Sequence, residues 1–323
     1  MLKAEKIESK EAVAILESLE KVENYIQSAF RSGAWGYKTG GEACIEPTAF
    51  CAIARRKNPE IRKQVIEYFC ANQNKDGGWS TSPGKGKSDW TSGLALLALR
   101  ILLKEEGNVE SAREAAVNNA VRFLFEQRFE LFGPYLWLAK PMVRFNEGEE
   151  GLNWARGWPW SQGAFHWVEP TSYALLALKI PRPAQAEDIE NVLLRGDKFL
   201  LEHSCRDGGW NHGNDLCLNV HLSPFAVTSA EALIALQDHS KDGVVQKAFL
   251  NLKKTIGYNM SAMSVAWVAL AEQSHGKDSS ESISALLARQ HEDGSFGPNL
   301  MVTAISMLAL QAHLGNNALK IPT

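Results

Sequence analysis

At 323 residues, with a formal charge of −3 and a pI near 6.3, the chain can bury a substantial core but offers no basic field to nucleic acid or another polyanion. Its five cysteines (Cys44, Cys51, Cys70, Cys205 and Cys217) are odd in number and lack framework spacing, which predicts reduced thiols in a cytoplasmic setting. No run approaches the roughly twenty apolar residues of a spanning helix, and the charged, amphipathic N-terminus lacks the core of a signal peptide.

Along the chain, a polar amphipathic segment alternates with a short apolar one, six times. The amphipathic segments are Glu8–Phe30, Pro59–Asn72, Glu110–Arg128, Ala186–His203, Asp242–Tyr258 and Ser279–Arg289. Within the third, Ala116, Ala120, Phe123 and Leu124 fall at the three-to-four spacing of one helix face. The apolar segments open with a small polar pair, usually Thr followed by Ser or Ala. They are Glu46–Ala54, Asp89–Leu103, Glu169–Ile180, Ala226–Leu236, the degenerate Met260–Leu270, and Met301–Leu310. Several are apolar nearly all round, as helices buried on every side are. Each hairpin has an apolar face it cannot bury alone, so the stack must continue or close. No obvious polar cap ends the array, and the expectation is a single all-α domain over 1–323. It is an α/α toroid of six inner and six outer helices with no convincing strand, and a Trp-rich inserted loop occupies about 129–168.

The joints between outer and inner helices read Gln73–Trp79 (QNKDGGW), Cys205–Trp210 (CRDGGW) and Gln290–Phe296 (QHEDGSF), with looser versions at Gly33–Gly36 and Gly157–Trp160. Asp-Gly-Gly is turn chemistry: aspartate bonds nearby N–H groups, glycine takes positive φ, and the aromatic that follows can pin the loop. Asp76, Asp207 and Asp293 are read as turn residues, without a chemical role.

This Gln-x-x-Asp-Gly-Gly-Trp repeat, followed by helices opening x-Thr-Ser/Ala, resembles the terpenoid cyclase and protein prenyltransferase superfamily over nearly the whole chain. Gly151–Leu178 looks most like the class II branch, the squalene–hopene cyclases. There a Gly-Trp-x-aromatic segment leads into Asp-x-Asp-Asp-Thr-Ala, whose middle aspartate protonates an alkene or epoxide. Laying Thr171-Ser172 on that Thr-Ala puts Glu169 at the proton donor's position, with Trp167 and Pro170 in place of the flanking acids. The zinc ligands of the prenyltransferase branch have no counterpart around Phe225–Thr228 or Met301–Thr303. Asp215, Cys217 and His221 precede a helix at irregular spacing and supply only three ligands, so no metal and no cofactor is expected.

Glu46, Asp89 and Glu169 stand at the starts of inner helices one, two and three, so in a closed ring all three reach one end of the central cavity. Asp89 is open to a second reading as an N-cap, for which aspartate is well suited. Carboxylates sharing a mouth repel, and one could hold its proton near neutral pH as general-acid catalysis requires, while the helix dipoles pull its pKa down. His166, three residues before Glu169, is a candidate relay or an ordinary loop histidine. Trp90, Trp158, Trp160, Phe165, Trp167 and Tyr173 are candidate walls for an apolar substrate and its cation, at about 0.5–2 kcal/mol per indole face; each is open to the alternative of a packing role.

The expected function is terpenoid-cyclase-like: acid-initiated cyclisation or isomerisation of an isoprenoid or similar apolar substrate by Glu169, aided by Glu46 and Asp89. In the two-barrel class II cyclases the cavity lies between barrels, so this chain would need a homodimer, a second subunit or its own lid. Phe129–Phe145, apolar and proline-broken, is a candidate lid, a peripheral membrane contact or a packed connection. The alternatives are a non-catalytic lipid- or peptide-binding barrel and a carbohydrate-active barrel using the same carboxylates as acid and base.

Overall fold

The computed structural model describes residues 10–107, 111–127, 157–179, 189–255 and 260–321. Twelve α-helices run through them in chain order. They are α1 (Lys10–Ser28), α2 (Ile45–Ala54), α3 (Pro59–Ala71), α4 (Thr91–Glu106), α5 (Ser111–Gln127) and α6 (Val168–Lys179), then α7 (Ile189–Glu202), α8 (Ala226–Ala235), α9 (Gly243–Thr255), α10 (Ala262–Ser274), α11 (Ser280–Leu287) and α12 (Leu300–His313). The even-numbered helices are inner. Each packs on the next, α2 on α4, α6, α8, α10 and α12, and α12 returns to α2, so the ring closes. The odd-numbered helices lie outside it, α1 against α12, α3 and α5 against α4, α7 against α6, α9 against α8, and α11 between α10 and α12. The fold is the expected α/α toroid.

The two helix types differ in how much of their surface they bury. α1 buries one stripe, Ile15, Val22 and Ile26, whereas α4 buries every residue from Thr91 to Leu103. Full burial of a Leu, Ile or Val contributes about 1.5–3 kcal/mol, so most of the driving force sits in the inner ring. Local signals set the helix starts. Asn58 caps α3 by accepting from Glu60 N and Ile61 N, both at 3.1 Å, with Pro59 in the first turn. Asn299 does the same for α12 through Met301 N at 3.0 Å. Pro47 and Pro170 are the third residues of their helices rather than the first, because α2 opens at Ile45 and α6 at Val168. Both still fall in the turn whose N–H groups lack intrahelical partners.

The joints form a repeated staple. The indole N–H of Trp35, Trp79, Trp158 and Trp210 donates to the carbonyl of Ile26, Phe69, Leu124 and Leu200 on the preceding outer helix, at 2.6–2.9 Å. The backbone N–H of the same tryptophan donates to a hydroxyl on the following inner helix: Thr48, Ser92, Thr171 and Ser229, at 2.8–3.0 Å. Phe296 N donates to Thr303 in the sixth repeat. The x-Thr-Ser/Ala signature is therefore the receiving half of the staple. Asp76 and Asp293 hold their turns by accepting from Gly78 N and Ser295 N, and Gly77 at φ +93 lies where a Cβ would meet Asn119 O at 2.4 Å. Gln73 and Gln290 reach across to backbone carbonyls of α5 (Ala116) and α1 (Ser18), joining neighbouring repeats.

Where α12 meets α2 the ring is fastened at both ends. Leu300 N donates to Tyr37 O at 2.8 Å at one end. At the other, fully buried Arg56 donates to Gln311 Oε1 at 2.8 Å and Gln311 Nε2 donates to Ala54 O at 2.9 Å. Two ribbons of two-residue strands also occur, Trp158–Pro159 with His166–Trp167 and Leu216–Cys217 with Val220–His221. The expectation of no strand misses them because each is too short for an alternating pattern, and neither forms a layer of the fold. Phe129–Phe145 and the first part of the insert lie outside the described residues.

Candidate active site

The staple hydroxyls give a common register for the inner helices. Counting two residues back from Thr48, Ser92 and Thr171 gives Glu46, Trp90 and Glu169; the same step from Ser229 and Thr303 gives Val227 and Met301. Two residues forward stand Phe50, Leu94, Tyr173, Glu231 and Ile305. In α4 the second hydroxyl of the Thr-Ser pair takes the staple, so Trp90, and not Asp89, occupies the place of Glu46 and Glu169. Asp89 lies one residue outside it. Both its oxygens are engaged, Oδ2 by Thr81 N and Oγ1 at 2.8 Å, Oδ1 by Thr91 N at 2.9 Å and Thr91 Oγ1 at 2.7 Å. That is the N-terminal capping arrangement anticipated as its second reading.

Three glutamates stand at these two levels, Glu46 and Glu169 before the staple hydroxyl and Glu231 one turn deeper. Glu46 and Glu169 are half-buried, while Glu231, in the second turn of α8, is only 3% exposed. Tyr37 donates its hydroxyl to Glu46, and Tyr173 donates to Glu231 Oε1 at 2.7 Å. Glu231 Oε2 is buried without a partner. Glu169 has no hydrogen-bonding or charged partner among the described residues. Desolvation first, and the charge of Glu46 second, push the Glu169 pKa up to about 8. Burial raises Glu46 as well, partly offset by the Tyr37 hydrogen bond. Burial and then Glu169 lift Glu231 well above the usual carboxyl range, and burial and then Glu231 lift Tyr173. For Glu169, desolvation and the charge of Glu46 both act to keep its proton in place.

Aromatic rings fill the space between these acids. Trp90 stacks on Tyr173 with centroids 6.0 Å apart and meets Trp160 edge-on at 4.7 Å. Below, Phe50, Tyr173 and Trp267 pack against one another at 5.6–6.3 Å, all almost fully buried. They form an aromatic floor joining α2, α6 and α10. Trp160, Trp90 and Tyr173 thus form one connected aromatic group, tied to the carboxyls through the Tyr173–Glu231 hydrogen bond.

The other predicted wall residues lie elsewhere. Trp158 is a staple, buried against α5 and paired with Trp167 in the short ribbon. Trp167 is half-buried with its ring against Gly213, and Phe165 is 55% exposed. His166 is buried with its ring edge-on to Phe199 of outer helix α7 at 6.2 Å, so it faces the outer layer. Glu231 and Trp267 were missed by the sequence reading. The available signal was a lone acid within AVTSAEALIA, a helix buried on all sides after its first turn.

Two clusters bear on metal chemistry. His221 Nδ1 lies 3.5 Å from Asp215 Oδ2 at the exposed ribbon. At the opposite end of the inner ring, Asp197, Asp238 and His239 converge, but Lys179 occupies their centre: its ammonium donates to Asp197 at 2.7 Å, Asp238 at 2.7 Å and Ala235 O at 2.8 Å. Lys179 is the cation shared by the two aspartates, and His239 Nε2 lies 3.1 Å from Asp197 Oδ2.

No protein-family model and no curated protein matches the sequence. Solved structures do match its fold. One is the type II terpene cyclase MstE from Scytonema, at 14% identity and a TM-score of 0.58, covering 92% of this chain and 97% of that one. A glycosidase matches at 11% identity and a TM-score of 0.66, over 96% of this chain and 99% of its own. An α-1,6-mannanase of Salegentibacter, in complex with α-1,6-mannotriose, matches at 10% identity and a TM-score of 0.62, over 93% and 99%. At these identities the likeness is one of fold: the chain is an α/α toroid of the architecture shared by a type II terpene cyclase and by α/α-barrel glycosidases.

Proposed function

We propose that the chain is an acid catalyst of the terpenoid-cyclase kind, acting on an isoprenoid or similar apolar substrate with Glu169 as the proton donor. The carrying observation is an asymmetry among the three acids. Glu46 and Glu231 are each held by a tyrosine, whereas Glu169, whose pKa desolvation and the charge of Glu46 push up to about 8, has no hydrogen-bonding partner among the described residues and shares its level of the ring with Trp90. In the reaction, Glu169 gives its proton to one carbon of a C=C bond, forming a C–H bond from the π pair and leaving a cation on the other carbon. The carboxylate left behind and the aromatic faces stabilise that cation. A second double bond of the substrate attacks it to close a ring. Loss of a proton to a carboxylate then ends the sequence, an isomerisation in which no atoms are gained or lost. Asp89 serves here as the cap of α4, and His166 as packing between layers. A single toroid suffices, as its match to MstE over most of both chains supports.

A second reading, glycoside hydrolysis, is favoured by the same raised pKa. A carboxyl titrating at about 8 is a weak acid, better matched to an acetal oxygen than to an alkene, and Glu46 or Glu231 would be the second carboxyl. The deciding experiment incubates the protein, with Glu169→Gln alongside, with squalene, polyprenyl alcohols, polyprenyl diphosphates and α-linked oligosaccharides. Cyclised hydrocarbon or alcohol products lost in Glu169→Gln support the first reading. Release of sugar lost in the same variant replaces it with the second, and turnover that survives the substitution removes Glu169 from the mechanism.

A further inference from the structure

The second short ribbon, Leu216–Cys217 with Val220–His221, presents apolar side chains to solvent on both faces and at its tip. Opposed residues of a ribbon share a face and consecutive ones alternate. The pairing of Leu216 with His221 and of Cys217 with Val220 therefore puts Leu216 and Val220 on opposite faces. They are 45% and 61% exposed, and Leu218, at the tip between them, is 94% exposed. Leu222 and Phe225, further along the returning strand, are exposed as well. From Leu216 to Phe225 the chain carries no Lys, Arg, Asp or Glu. The first ribbon is joined to this one where Val168 N donates to His212 O at 2.9 Å and the Trp167 ring lies against Gly213, and it adds exposed Phe165. Single exposed leucines are ordinary, whereas a run of apolar residues held out together marks a contact surface.

The backbone of the turn argues that Leu218 serves something other than the fold. Leu218 and Asn219, the two residues joining the strands, have φ of +49 and +63. Positive φ at both central residues of a two-residue hairpin is the type I′ pattern, in which Asn and Gly are preferred and a leucine is strained. A strained leucine that stays almost wholly in solvent gains its advantage outside the molecule. A flat protein partner would cover one face of the ribbon and leave the other wet, whereas an apolar medium entered by the tip covers Leu216, Leu218 and Val220 together. We propose that the ribbon is a membrane anchor whose tip enters the headgroup and acyl boundary of a lipid bilayer. It requires no anionic lipid, because the inserted segment has no Lys or Arg. Both ribbons precede inner helices, α6 and α8, and so stand at the end of the ring where Glu169 lies. The mouth of the ring then faces the bilayer, which gives an apolar chain a route that avoids water. That consequence rests on the proposed function; membrane binding does not.

The test is flotation of the full chain with vesicles of phosphatidylcholine alone and of phosphatidylcholine mixed with phosphatidylserine, at low and high salt. The expected result is equal binding to both, unchanged by salt, because apolar insertion is not screened. Leu218→Asn should weaken that binding about tenfold or more. Because asparagine suits the left-handed conformation, the same variant should keep or raise the thermal stability of the protein. Leu194→Gln and Leu250→Gln, at well-exposed leucines of outer helices α7 and α9, should bind as wild type does. No binding to either vesicle overturns the proposal. So does binding that needs phosphatidylserine or fails at high salt, or binding that Leu218→Asn leaves unchanged. Self-association without lipid that Leu218→Asn abolishes replaces the bilayer with a second copy of this chain. Vesicle binding without turnover of any isoprenoid leaves the anchor standing and removes the cyclase reading, so the two failures are distinguishable.

Discussion

The hydroxyl of Tyr173 on α6 donates to Glu231 Oε1 on α8 at 2.7 Å, and both side chains are at least 97% buried. An ionised carboxylate there would keep one hydrogen bond and no counter-charge, a costly state in a dry interior, so Glu231 is a neutral acid. Glu231→Gln retains an acceptor for Tyr173 and loses no needed charge, and should change stability by less than about 1 kcal/mol. Glu231→Ala strands the phenol and opens a void, costing about 2–4 kcal/mol. Urea denaturation at pH 7 measures both; a Gln variant as unstable as the Ala variant would show that Glu231 is needed as an anion.

Glu169 makes stability depend on pH in a defined direction. Its folded pKa of about 8 lies above the ordinary value of 4.5, so the folded protein keeps a proton that the unfolded chain has released. Stability from this group is therefore fully present below pH 4.5, falls between about 4.5 and about 8, and is level above. The slope is at most about 1.4 kcal/mol per pH unit. Glu169→Gln removes that slope and should be more stable than wild type at pH 8. Denaturation midpoints measured from pH 5 to 9 check the sign.

The staple predicts a cost that repeats around the ring. Ser229→Ala removes the group that receives Trp210 N at 2.8 Å and leaves that buried N–H without its acceptor, while Trp210 O loses the 3.1 Å bond but keeps the one from Phe225 N at 2.8 Å. The expected loss is about 1–3 kcal/mol, and Ser92→Ala, its equivalent at Trp79, should match it. Thermal unfolding of the two variants tests the equivalence.

Lys179 holds the far end of the ring. Lys179→Met leaves buried Asp197 and half-exposed Asp238 without their shared cation and should cost about 3–5 kcal/mol. A loss below about 1 kcal/mol would mean that the two aspartates find other partners.

The sequence exposes the toroid because its logic is repetitive: six apolar segments, several apolar nearly all round, and turns built on Asp-Gly-Gly-Trp or looser versions of it leave few ways to bury the surface. The site is less legible because it depends on register and on contacts between repeats. Asp89 and Trp90 are neighbours, and only the choice of Ser92 over Thr91 as the staple hydroxyl decides which of them joins the level of Glu46 and Glu169. Glu231 is recognisable in retrospect as a lone acid in a buried helix, but its partner Tyr173 lies 58 residues away on the neighbouring inner helix. The tryptophans before Glu169 divide in the same way: Trp158 staples a hairpin and Trp160 packs against Trp90, a difference of two residues that composition does not reveal.

The central claim is that Glu169 is a protonated acid inside the ring at neutral pH. Carbon NMR of the protein labelled at the glutamate carboxyl carbons, titrated from pH 5 to 10, tests it directly. Several buried glutamates titrate high, Glu272 at about 7 and Glu231 well above the ordinary range, and the account predicts that the resonance with a midpoint near 8 is present in wild type and in Glu60→Gln and absent in Glu169→Gln. A Glu169 signal titrating in the ordinary carboxyl range, or a resonance with its midpoint near 8 that is unchanged in Glu169→Gln, would contradict it.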